Sequence, residues 1–89
     1  MNKKNKIQEL TVNIYELGMI RRDIEKWSPY IDLGNEEVKN ICTHLSVITN
    51  DNEISFDNLI GKNFEDARNF LIKKHYEYLN KFREELISL

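Results

Sequence analysis

The chain has 89 residues, enough for one hydrophobic core and no second domain. Its 13 Lys and Arg against 15 Asp and Glu leave a formal charge of −2, near balance, whereas a polyanion-binding protein usually shows a strong cationic excess. No apolar run approaches the ~20 residues that a membrane-spanning helix needs.

A single cysteine, Cys42, cannot close an internal disulfide and points to a reducing, cytoplasmic location. The basic opening at 1–6 is followed by Gln8, Glu9 and Asn13, where a secretory leader requires an apolar run, so no leader is expected. Heavy use of Asn, Ile and Lys fits an AT-rich genome and suggests a bacterial or phage origin.

Residues 4–27 read as the first helix, because Ile7, Leu10, Ile14, Leu17, Ile24 and Trp27 recur at three- and four-residue steps along one face. Arg21 interrupts that seam, with Ile20 beside it. Val12, Tyr15 and Met19 form a second stripe on another side of the same helix. A helix apolar on two sides is buried between two neighbours, or between its own core and a partner. Gly18 costs about 1 kcal/mol relative to Ala inside a helix, and its presence suggests close packing or a kink. Pro29 disfavours helical geometry at Ser28 and ends the helix near Trp27. The following connection carries Trp27, Tyr30, Ile31 and Leu33, and a loop this apolar is expected to pack down.

The second helix spans 35–48, with Asn35 as its N-cap and Glu36 and Glu37 complementing the helix dipole. Val38, Ile41, Cys42, Leu45 and Ile48 supply its apolar face, and Thr49, Asn50, Asp51 and Asn52 form a turn. Ser55 caps a short helix over 55–60 that carries Phe56, Leu59 and Ile60 on one side, with Gly61 as its stop. A short strand over 53–56 is the alternative. Asn63 caps the last helix, 63–88, with Asp66 completing a capping box. Its stripe runs through Phe64, Ala67, Leu71, Tyr78, Phe82, Leu86 and Leu89, flanked by Ile72, His75 and Leu79. The expected fold is all-α: one domain, a small antiparallel bundle of three long helices and one short helix.

The motifs that suggest chemistry do not assemble. The stretch from Asp51 to Phe56 resembles the second half of a calcium loop. In that alignment, however, Val47 and Asn58 occupy the first and last ligand positions, so calcium binding is not expected. Cys42 and His44 are two apart on a helix and point in different directions. Cys42 could meet His75 only across the bundle. The pairs Glu36-Glu37 and Glu65-Asp66 sit at helix N-termini, where capping explains them, and Glu84-Glu85 lies near a C-terminus. Neither catalysis, a metal nor a cofactor is expected.

Two binding readings remain. Val12, Tyr15 and Met19, with Tyr76 and Ile87 off the main seam of the last helix, exceed what one seam per helix requires. Aromatic and Met side chains are enriched in interface centres, so Val12, Tyr15, Met19 and Tyr76 are the candidate protein-binding residues. The second reading is a small nucleic-acid-binding regulator using Arg21, Arg22, Lys73, Lys74 and Lys81.

Two helices, a short third and a long fourth resemble, in outline, small bacterial immunity proteins of the colicin-nuclease type. Phe56 and Leu59 stand where the short helix of that family carries Tyr-Tyr-Pro, so the resemblance implies no site residues. The expected function is a non-enzymatic interaction module of the inhibitor, antitoxin, immunity or adaptor kind. Its partner would be another protein, and the two-sided first helix also suggests a homodimer.

Overall fold

A computed structural model describes residues 3–89; Met1 and Asn2, part of the basic opening, lie outside the described residues. Among the described residues four helices follow one another: α1 (Lys3–Glu25), α2 (Glu36–Thr49), α3 (Phe56–Ile60) and α4 (Phe64–Ile87). The all-α architecture of three long helices and one short one is the expected one. α1 packs chiefly against α4, while α2 bridges α1, α3 and α4. Lys6 shares a surface depression with Lys81 and Leu89, and the charges of Arg21 and Glu25 act on His75, so α1 and α4 run antiparallel.

Local chemistry sets the helix ends. The Oδ1 of Asn35 accepts from the Val38 N–H at 2.9 Å, opening α2. Asn50 closes it in the left-handed region at φ 54°, donating its N–H to the Ser46 carbonyl. An Asn tolerates that conformation better than a β-branched residue does. Ser55 accepts from Asn58 N–H at 3.2 Å, so the 53–56 segment serves as turn and cap and not as a strand. Asn63 Oδ1 accepts from Asp66 N–H at 2.8 Å. The reciprocal bond of this box joins the two side chains, Asn63 Nδ2 to Asp66 Oδ2 at 3.2 Å.

The core is built from Leu10, Leu17, Ile20 and Ile24 of α1, Val38, Ile41, Cys42 and Leu45 of α2, and Leu59 of α3. Ala67, Leu71 and Phe82 of α4 complete it, with Trp27 and Ile54 from the connections. Three details differ from the sequence reading. Ile20 is buried on α1 while Ile7, at the helix's outer end, is exposed. On α3 only Leu59 is buried, because Ile60 turns to solvent and Ile54 fills the space from the preceding turn. The 27–34 connection packs down through Trp27, Ile31 and Leu33, but Tyr30 stands free of it.

Gly18 does not serve close packing, one of the two roles its position suggests. α1 continues through it, and a Cβ built there meets no heavy atom within 4 Å. Gly18→Ala is therefore expected to raise unfolding stability by about 0.5–1 kcal/mol, read as a higher denaturant midpoint at unchanged slope.

Candidate interaction surface

At about 3.6 residues per turn, Val12, Tyr15 and Met19 fall on the side of α1 opposite Leu10, Leu17 and Ile24. Their exposures confirm that placement: 53% for Val12, 69% for Tyr15 and 47% for Met19, with the opposite residues buried. Neither α3 nor the 27–34 connection covers them. Other large exposed apolar residues, such as Tyr30, Val47, Ile60 and Ile87, are scattered over the other helices and connections. Scattered apolar residues are ordinary on a protein surface; a run on one helix face is less so.

Tyr15 and Met19 line a shallow depression of about 170 Å³ with Ile14, Gly18, Arg21 and Arg22. Val12 extends the apolar strip toward the N-terminus without lining the depression. Tyr76, 45% exposed, lies on α4 with its ring edge-on to His75 at 4.5 Å. The depression thus gathers Tyr15 and Met19, while Tyr76 stands outside it.

The five cations of the nucleic-acid reading do not form one patch. Arg21 and Arg22 belong to the α1 depression, and Arg21 is also paired with Glu25 at 3.4 Å. Lys81 lies over the Tyr78 ring and lines a second, open depression with Lys6, Glu84 and Glu85. Lys73 is exposed on α4. Lys74 is turned inward: its Nζ donates to Asp51 at 2.9 Å and approaches Glu53 at 3.2 Å, leaving the side chain 13% exposed.

That Lys74 contact belongs to the most concentrated polar cluster among the described residues. The Tyr78 hydroxyl donates to Asp51 Oδ2 at 2.7 Å, and the Glu53 N–H donates to Asp51 Oδ1 at 2.9 Å. Hydrogen bonds from Lys74, Tyr78 and the Glu53 backbone hold the Asp51 carboxyl down at about 2. The Asp51 hydrogen bond in turn raises Lys74 and Tyr78 above their ordinary values. A general base must stand unprotonated near neutral pH to accept a proton, and these shifts keep Lys74 and Tyr78 protonated. The cluster ties the α2–α3 connection to α4, which is a structural task.

Cys42 and His75 do not form a nucleophile–base pair. Cys42 is buried, and burial pushes its thiol up. His75 is fully buried, and neither ring nitrogen has a hydrogen-bond partner. Among the described residues, no group of three or more His, Cys, Asp or Glu is placed to hold a metal. No helix among them is long and apolar enough to cross a membrane.

The sequence reading missed two features. The Asp51–Lys74–Tyr78 clamp joins positions far apart in the chain, and no local pattern announces it. His75 flanks the α4 stripe in the sequence, and its spacing of four from Leu71 is the one sign there that it enters the core. No protein-family model, curated protein or solved structure matches the chain.

Proposed function

We propose that this chain is a non-enzymatic protein-interaction module, of the inhibitor, antitoxin, immunity or adaptor kind and of bacterial or phage origin. It works in the cytoplasm and offers another protein the outer face of α1 as a preformed helical surface. One observation carries the proposal: Val12, Tyr15 and Met19 are exposed in a run on the side of α1 that the core does not use. Leaving such a strip in water forgoes burial worth roughly 25 cal/mol per Å², and covering it with a partner recovers that energy.

Tyr15→Ala and Met19→Ala test the proposal directly. Each is expected to leave the folded chain intact and to weaken capture of a host protein by about tenfold or more, as truncation of an interface anchor does. Capture measured with purified partner by calorimetry, alongside circular dichroism of the variant, gives both readings. Capture that survives both substitutions would remove α1 from the interface. Binding to nucleic acid that falls steeply with salt and is lost on replacing Arg21, Arg22, Lys73 and Lys81 would replace the proposal with the regulator reading. For the homodimer, sedimentation at high concentration is the test, and a clean monomer eliminates it.

A further inference from the structure

Charge around the α1 strip narrows what can cover it. Gln8, Val12, Tyr15, Met19, Arg22 and Lys26 recur at alternating four- and three-residue steps, the spacing of a helix-pairing seam. The apolar centre of this seam is followed by two exposed cations, Arg22 and, in the turn that closes α1, Lys26. Along one flank run Glu9, Glu16 and Asp23, each one residue past a seam position. Glu9 reaches Lys6 at 4.0 Å, and Glu16 faces His44 of α2 at 3.4 Å.

A second copy fits this pattern poorly in either direction. Parallel pairing about a twofold axis sets Arg22 against Arg22 and Lys26 against Lys26 across the seam. Antiparallel pairing brings the same flank of each helix together and sets the Glu9, Glu16 and Asp23 row against its own image. Like charges placed face to face disfavour both arrangements.

From this pattern, and resting on the interaction-module proposal above, we propose that the outer face of α1 receives an amphipathic helical segment of a partner protein that is acidic at the end lying over Arg22 and Lys26 and not along the edge facing Glu9, Glu16 and Asp23. Its apolar side chains lie over Val12, Tyr15 and Met19, and its carboxylates meet Arg22 and Lys26. The two cations place the partner's carboxylates one to two turns past Met19. Arg22 also lines the depression beside Tyr15 and Met19, so a carboxylate reaching it lies next to a buried apolar anchor.

The test is an amide chemical-shift titration of the full chain with a synthetic amphipathic helical peptide. The peptide carries Leu and Phe at heptad spacing with Glu beside its last anchors, and a matched peptide carries Lys at the Glu positions. The Glu peptide is expected to shift amides between Val12 and Lys26 and to bind about tenfold tighter than the Lys peptide, as two exposed ion pairs allow. The Arg22→Glu, Lys26→Glu double variant is expected to reverse that preference. Equal binding of the two peptides, or binding of neither, overturns the acidic-partner inference. Tighter binding of a short single-stranded oligonucleotide, or concentration-dependent shifts of the same amides without peptide, overturns it in favour of nucleic acid or of a second copy. Equal or absent peptide binding is distinct from failure of the broader proposal, which falls if Tyr15→Ala and Met19→Ala leave capture of the natural partner intact.

Discussion

Replacing His75 with Leu is expected to stabilise this protein, and to stabilise it more as the solution becomes more acidic. The imidazole is 0% exposed and neither ring nitrogen has a hydrogen-bond partner. An unsatisfied buried polar group costs about 1–3 kcal/mol, and Leu fills a similar volume with no polar atom. The gain at neutral pH is therefore expected to be about 1 kcal/mol or more.

The pH dependence follows from where the proton binds. Burial, more than any charge, lowers the His75 pKa. Arg21 of α1 and Arg83 of α4 add to that effect; Glu25 of α1 opposes it, as does the Ile72 backbone one turn earlier, which acts on the ring without meeting hydrogen-bond geometry. In the unfolded chain the ring titrates at its ordinary value near 6.5, so just below that pH the unfolded chain holds a proton that the folded chain refuses. Stability then falls with decreasing pH by up to about 1.4 kcal/mol per unit, starting near pH 6.5 and continuing until the folded pKa is reached. His75→Leu is expected to flatten this part of the profile, as measured by urea unfolding between about pH 7 and pH 5. A variant that is less stable than the parent at both ends would show that the ring is stabilising where it sits.

The second large effect is expected at Asp51. Its carboxylate accepts from Lys74 and Tyr78 on α4 and from the Glu53 backbone, with the side chain 12% exposed. Asp51→Ala leaves the Tyr78 hydroxyl without its acceptor and Lys74 with only the more exposed Glu53. The expected loss is about 2–3 kcal/mol. Tyr78→Phe removes one bond and is expected to cost about 1 kcal/mol.

Here the acid window is different. The carboxyl titrates at about 2 in the fold against an ordinary 3.8. Its contribution is thus complete above about pH 4 and is lost as pH falls toward 2. Because the His75 window opens near pH 6.5 and the Asp51 window only near pH 4, one acid-unfolding profile of parent, His75→Leu and Asp51→Asn separates their onsets. An Asp51→Asn variant as stable as the parent above about pH 4, where the carboxylate's contribution is complete, would show that the clamp contributes nothing.

Much of the fold was legible because its signals are local. Asn35, Ser55 and Asn63 each cap a helix as their residue type predicts, and each helix begins within one residue of its expected start. The three- and four-residue spacing of Leu10, Leu17 and Ile24, and of Ala67, Leu71 and Phe82, placed the core faces. The long-range links were not legible. Nothing near Lys74 in the sequence distinguishes a lysine clamped to Asp51 from one free to meet a phosphate; the pairing exists only because α4 passes the α2–α3 turn. His75 escaped for a related reason, since a titratable side chain on a flank gives no sign of how deeply its helix is buried. The α1 surface was half legible. Periodicity found Val12, Tyr15 and Met19, but whether another element covers them depends on packing.

The central claim is that Val12, Tyr15 and Met19 serve a partner and not the fold, and paired unfolding and binding measurements on one variant test it most directly. In the triple variant Val12→Ser, Tyr15→Ser, Met19→Ser, stability is expected to stay within about 0.5 kcal/mol of the parent for each exposed site changed, while binding to the partner protein is lost. A cooperative loss of several kcal/mol, of the size seen when core side chains are removed, would show instead that these residues are part of the bundle's own core.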